Sequence, residues 1–264
     1  MIKEIYTIRT LTNLHAGSGD ANYGIIDKLV QRDPVDEFPI VNASSLKGAL
    51  RENKKVEKGN NNRHKDIVNI FGNDPNDNDT SVKGNYYFFE ARLLSIPVRS
   101  NAMPFFRATS VELIEAFTSH LEDLGLTELA DRYNISDQVV AKGKPSILSS
   151  LNTPVYLEDW AAEKNLPESV STKLQPIIGD NIALFEHSDL KDLCRHLPVI
   201  ARNHLESGIS QNLWYEEVVP RETVFYTVLL RPDGNDLLNI DDQTIQIGGN
   251  ATIGYGFTKF RKIS

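Results

Sequence analysis

Residues 24–33 read "GIIDKLVQRD", with Asp27 lodged between the apolar pairs Ile25–Ile26 and Leu29–Val30. A carboxylate inside an apolar alternation marks either a strand edge turned to water or a site that needs a proton acceptor or a cation ligand. His15 opens the preceding stretch, "HAGSGDANYG" at 15–24. An imidazole there could work as acid or base near neutral pH. In "NASSLKGALREN" (42–53), Ser44 or Ser45 can cap a helix, and Lys47 and Arg51 fall on adjacent turns. Hydroxyls, cations and free backbone N–H groups at one helix start suit a phosphate, although the same residues also make an ordinary helix opening.

Several other chemistries are excluded by spacing. In "GGNATIGYG" (248–256), Gly249 and Gly254 have the separation of a phosphate-binding P-loop, but Tyr255 stands where the lysine must be. The loop still lets a ligand approach backbone N–H groups closely. "GSGDANYG" places its third glycine too late for a dinucleotide fingerprint. "NDPNDNDT" (73–80) starts like a calcium loop with Asp74, Asn76 and Asn78. It fails at Asp79, where the turn glycine belongs, and at Asn85, where the closing glutamate belongs. No G-x-S-x-G is present. The single cysteine, Cys194, permits neither an intrachain disulfide nor a cysteine zinc cluster, and inside an amphipathic helix it reads as a buried, inert thiol.

The elements that must hold these residues follow from periodicity. Residues 3–14 alternate as a strand, with Tyr6, Ile8, Thr10 and Thr12 on one face. A glycine-dotted loop leads to a second extended segment at 25–32. Helices are predicted over "SSLKGALREN" and over "HKDIVNIFG", where Gly72 ends the turn. "NYYFFEARLLSIPV" (85–98) reads as a long aromatic strand, and "TSVELIEAF" (109–117) as a helix with a capping box from Thr109 to Glu112. From 120 to 185 the pattern is weak, acidic and broken by prolines, which suggests an accessory insertion. A helix at 187–197, a strand at 222–232 and a glycine loop entering a last strand complete an α+β domain.

Net charge is −8, which by itself argues against nucleic acid. Its distribution says otherwise. Residues 112–194 hold 15 acidic and 6 basic side chains, a net of −9, so the rest of the chain sums to +1. Residues 47–65 carry 7 Lys/Arg against 2 Glu, a net of +5. Phosphate binding needs a local basic track rather than a basic protein. No run reaches the ~18 apolar residues of a membrane span, and "MIKEIYTIRT" lacks a signal-peptide core, so a cytoplasmic protein is expected.

Five stretches, "LHAGSGDANYGIIDKLVQRD", "FPIVNASSLKGALR", "LSIPVRSNAMPFFRATSVELI", "NLWYEEVVPRETVFY" and "IQIGGNATIGYGF", resemble the RAMP superfamily of CRISPR proteins and fall in its order. "IPVRS" and the "LWYEE–PRETVFY" segment resemble more narrowly the repeated backbone subunit of type III-B (Cmr) effector complexes, with the type III-A (Csm) subunit the near relative. The resemblance implies one RAMP domain over 1–264. Its parts would be a ferredoxin-like (RRM-like) palm, a helical insertion at about 112–194 and a β-hairpin thumb at about 200–220. That last segment is less basic here than the family pattern.

The resemblance further implies a filament of copies along a guide RNA, with the large polymerase-like subunit as another partner. Target single-stranded RNA would be cut at each thumb-induced kink with a divalent metal, Mg²⁺ being expected. Asp27 matches the catalytic and metal-holding aspartate. Ser44, Ser45, Lys47, Arg51, Gly248, Gly249 and Asn250 match guide-binding positions, and His15 lies beside them in the RNA-binding set. A solvated carboxylate is a weak base at neutral pH, so Asp27 is expected to hold a hydrated ion rather than abstract a proton. Two other functions stay open: a non-catalytic guide-RNA scaffold, and a metal-independent guide-processing endoribonuclease leaning on His15.

Overall fold

The computed structural model describes residues 1–19, 24–61, 64–73 and 81–264. The calcium-loop segment considered above falls largely outside them. Among the described residues the chain forms thirteen strands and six α-helices. One large mixed sheet dominates. Its strands are β1 (Ile2–Thr10), β2 (Tyr87–Phe88), β3 (Arg92–Val98), β4 (Phe106–Ser110), β5 (Ser146–Ile147), β8 (Ile182–Phe185), β11 (Val224–Arg231), β12 (Thr244–Gln246) and β13 (Phe257–Lys262). Their order is β12-β13-β1-β11-β3-β4-β8-β5, and β2 pairs off that path with β11. Strands β6 (Tyr156–Leu157) and β7 (Trp160–Ala161) form a small ribbon.

Helices cover both faces of the sheet, and strand alternation divides the apolar residues between two cores. Tyr6, Ile8, Phe225 and Leu229 point into a core shared with α1 (Ala43–Glu57), α2 (Lys65–Phe71) and α6 (His187–Arg195). Ile5, Val224, Tyr226 and Val228 point the other way. They meet α3 (Val111–Asp123), α4 (Thr127–Tyr133) and α5 (Glu168–Ile178). On β3 the parity flips: Leu94 belongs to the second core but Ile96 and Val98 to the first. A register shift against β11 puts one extra residue on β3 there, the signature of a β-bulge.

Four sequence expectations differ from what is observed. The stretch at 25–32 is not a regular strand: it bends and touches the fold through isolated bridges, Lys28 to Glu216, Val30 to Gly17 and Arg32 to Pro39. The strand at 85–98 is interrupted, so only β3 joins the sheet's main path. Helix α3 is capped by Ser110, whose hydroxyl accepts from the Leu113 N–H, while Thr109 stays in β4. The acidic 120–185 region is no loose excursion: it supplies β5 and β8 to the sheet and α4 and α5 to the second core. Its helices were hard to see because prolines and short lengths weaken the 3.6-residue period.

Outside the sheet stands an antiparallel hairpin, β9 (Val199–Glu206) and β10 (Ile209–Glu217). Ser207 and Gly208, at φ 51° and 81°, form its turn, the left-handed pair that a two-residue hairpin with right-handed strand twist requires. No helix among the described residues is long and apolar enough to cross a membrane.

Candidate nucleic-acid site

The hairpin's inner end, the Asp27 loop and the glycine loop meet at one place. Asp27 is exposed. Its N–H and that of Lys28 donate to the Tyr215 carbonyl at 3.1 and 3.2 Å, and the Tyr215 N–H donates to Asp27 Oδ2 at 2.7 Å. One carboxylate oxygen is thus fixed by β10. The bent backbone at 25–28 is what lets a loop residue bond side-on to a hairpin strand. Asp27 interrupts the apolar pattern because it faces water and grips the hairpin's main chain.

Behind it, Glu216 is 1% exposed, and its carboxylate gathers donors from three segments. Lys28 Nζ and Trp214 Nε1 donate to Oε1 at 3.0 Å each; Arg202 Nη1 and Asn250 Nδ2 donate to Oε2 at 2.9 and 3.0 Å. Burial alone would raise this carboxyl's pKa. The bonds from Trp214 and Lys28, with the Arg202 charge, outweigh it and hold the group below the usual glutamate range. Lys28 also lies 5.3 Å from the Trp214 ring centroid, and Arg202 packs over the same ring at 5.6 Å. Glu217, also buried, accepts from Arg32 Nη2 at 2.6 Å and from the Val30 N–H at 3.1 Å.

His15 is buried, and its Nδ1 donates to the Glu217 carbonyl at 2.8 Å. Its own carbonyl accepts from the Gly249 N–H at 2.9 Å. Gly248 has φ +79°, and a Cβ there would meet that same carbonyl at 2.4 Å, so only glycine fits. Asn250 takes φ 63° and aims its amide at Glu216. Gly248 and Gly249 are exposed.

Helix α1 begins at Ala43 after Asn42, whose side chain makes no capping bond. Ser44 and Ser45 therefore sit in the first turn rather than at the cap, Ser44 exposed and Ser45 half-buried. Gln31 ties this turn to the site: its Nε2 donates to Ser45 Oγ at 2.9 Å and to the Gly17 carbonyl at 3.0 Å. Its Oε1 accepts from the Asn42 N–H at 2.7 Å. Lys47 is half-buried and meets no carboxylate among the described residues. Burial, then the neighbouring Arg51 charge, holds its pKa below the usual lysine value. Arg51 gives Nη1 to the Gly72 carbonyl at 3.2 Å, and its buried Nη2 has no partner among the described residues.

The structure thus gathers Asp27, His15, Gly248, Gly249 and Asn250 around the hairpin base and links Ser45 to them through Gln31. Lys47 and Arg51 continue along α1 outside this network. Sequence reasoning missed Lys28, Gln31, Arg202, Trp214, Glu216 and Glu217. The adjacent carboxylates of "LWYEE" were the available signal, since paired acids at a strand end need cationic partners. Among the described residues no group of three metal-ligating side chains forms. Asp27 has one oxygen engaged and, among the described residues, no second acid beside it, so these residues suit an ion shared with a bound ligand's oxygens.

Comparison with known proteins decides the family. Residues 7–259 match the family model of the RAMP superfamily. The chain belongs to the RAMP superfamily. It is similar to the CRISPR system Cmr endoribonuclease Cmr4 of Pyrococcus furiosus, with 30% identity over 95% of this chain and 92% of that protein. Among solved structures it resembles a chain of the type III-B Cmr-beta complex bound to cognate target RNA. That match has a TM-score of 0.77 and 24% identity, over 99% of this chain and 97% of that one. Oligomeric Cmr4 from Pyrococcus furiosus matches with a TM-score of 0.72 and 24% identity, over 99% and 98%. This RAMP chain therefore has the fold of those structures over nearly its whole length.

Proposed function

We propose that this chain is the repeated backbone subunit of a type III-B CRISPR effector complex, holding guide RNA and cutting paired target RNA beside Asp27. The observation that carries the reading is the joining of Asp27 to the base of the hairpin by main-chain and side-chain bonds. In this reading the large sheet is a ferredoxin-like palm, the 112–194 insertion adds β5 and β8 to its edge and α4 and α5 to its second core, and the 199–217 hairpin is the thumb. Guide RNA runs past Ser44, Ser45, Lys47, Arg51 and the 248–250 loop. Copies stack along it, in contact with the large polymerase-like subunit. The similarity to a Cmr endoribonuclease supports this reading.

The chemistry is mainly positional. A regular A-form duplex keeps a 2′-hydroxyl out of line with the neighbouring phosphorus; a nucleotide splayed by the hairpin is freed to align. The 2′-hydroxyl gives its proton to solvent as its oxygen bonds to phosphorus, the P–O5′ bond breaks, and a proton from water passes to the leaving oxygen. The products are a 2′,3′-cyclic phosphate and a 5′-hydroxyl. Asp27 holds its free oxygen at the bend, while Tyr215 keeps hairpin and carboxylate in one frame. A divalent ion shared between Asp27 and RNA oxygens would neutralise charge developing on the phosphate. His15, buried and committed to the Glu217 carbonyl, serves the loop's shape in this reading rather than proton transfer.

The test is target RNA incubated with the assembled complex and Mg²⁺, with and without EDTA, alongside a complex carrying Asp27→Asn. We expect evenly spaced cuts by the wild type only. Normal cutting by an assembled Asp27→Asn complex would refute the role.

A further inference from the structure

Beside the first turns of α1 lies an open cavity of about 300 Å³, lined by Ser44, Lys47, Lys83, Tyr86, Tyr87 and Phe88 among others. Among the described residues its charged lining is Lys47 and Lys83. The three consecutive aromatics divide their work. Tyr86 is buried, with its hydroxyl donating to the Asn235 carbonyl at 2.6 Å, and Phe88 stacks on Phe71 at 5.3 Å between centroids. Both belong to the fold. Tyr87 is 47% exposed. Lys83 Nζ sits 5.0 Å from its ring centroid and 3.4 Å from its hydroxyl, and no carboxylate meets Lys83 among the described residues.

This wall is firmly seated. Tyr87 pairs with Leu230 of β11, and Lys83 bridges to Gly72. The Asn85 N–H donates to the Asn69 carbonyl at 2.8 Å. A Cβ on Gly84 would lie 2.4 Å from the Ile70 carbonyl, so the segment is pressed directly on the end of α2. An exposed ring on a paired strand, flanked by two cations that meet no carboxylate among the described residues, is wasteful for stability alone. It matches what a nucleotide presents: a planar base for the ring and a phosphate for the cations.

We propose that Tyr87 is a stacking platform for one base of the bound RNA, with Lys83 and Lys47 taking that nucleotide's phosphate. This assignment rests on the RNA-binding reading above and extends the track from the α1 residues to a wall outside the quoted family motifs. The base displaces the Lys83 ammonium from the ring face toward the phosphate. Stacking tolerates any base, so the contact adds affinity without sequence preference.

The test is a titration of single-stranded RNA containing 2-aminopurine with the full chain, read by fluorescence and by affinity. We expect the wild type and Tyr87→Phe to quench one probe position. Tyr87→Ala should lose the quench and bind about tenfold more weakly with an unchanged salt slope. Lys83→Ala should lower that slope by about 0.7, one phosphate on a single strand. Circular dichroism confirms folding of each variant. Wild-type quenching and affinity in Tyr87→Ala would overturn the stacking role while leaving RNA binding in place. A wild-type chain that binds no RNA would bring down the RNA-binding reading and this assignment with it. An RNA-independent dimer abolished by Tyr87→Ala would show that the face serves a second copy instead and also overturn it.

Discussion

The two ends of the 199–217 hairpin are built on opposite principles. At the inner end, Glu216 and Glu217 are buried and bonded to Lys28, Arg202, Trp214, Asn250 and Arg32. Further out, Leu205, Ile209 and Leu213 are 58%, 65% and 53% exposed and belong to neither hydrophobic core. The inner end spends charge to fix an angle, because a buried carboxylate with four donors has one geometry. The outer end keeps apolar surface for whatever it reaches, and large exposed apolar side chains mark contact sites. Asp27 attaches at the rigid end, which suits a residue whose use depends on position.

Breaking the inner end should have the largest effect. Glu216→Ala leaves Lys28 and Arg202 without their buried counter-charge, and we expect a loss of about 3–5 kcal/mol in chemical denaturation. The pH profile sharpens the same point. Folded Glu216 lies below its ordinary value of 4.5, so its contribution is complete above that pH and fades as pH falls through the folded value. Thermal scans should show wild-type stability dropping below about that pH, and Glu216→Gln, already weaker, dropping less. On α1, Lys47→Ala should weaken RNA binding and flatten its salt dependence by about 0.7, without unfolding, whereas Lys55→Ala should move the slope less. Lys55 pairs with Glu52 at 3.4 Å and Lys54 with Glu57 at 2.8 Å. At the outer end, Leu213→Ser should change stability by only about 0.5 kcal/mol, since Leu213 is 53% exposed and lies outside both cores.

That last contrast explains what the sequence could reveal. The +5 run at 47–65 is one stretch in the sequence but divides in space: Lys54, Lys55 and Lys58 pair with carboxylates, while Lys47 and Arg51 meet none among the described residues. Strands β1, β11 and β13 were readable because alternation survives wherever each face meets its own core. The 25–32 bend was not, since it is ordered by bonds from Asp27, Lys28 and Val30 to residues 215–217 of the distant hairpin. Asp27 stood out by breaking a local pattern. Its partner Tyr215, and Glu216 with its four donors, depend on tertiary contacts that no local window contains. The acidic middle of the chain misled for the opposite reason, because short, proline-broken elements can pack as tightly as long ones.

The most direct measurement is a structure of the assembled complex with guide RNA and a target carrying a 2′-deoxy substitution at the cut site, which stops the reaction. We expect the free oxygen of Asp27 beside the splayed nucleotide's phosphate, at hydrogen-bond distance or bridged by a single ion, with the Tyr215 bond retained. Asp27 far from any displaced nucleotide, with the scissile phosphate held by other residues, would contradict the proposal.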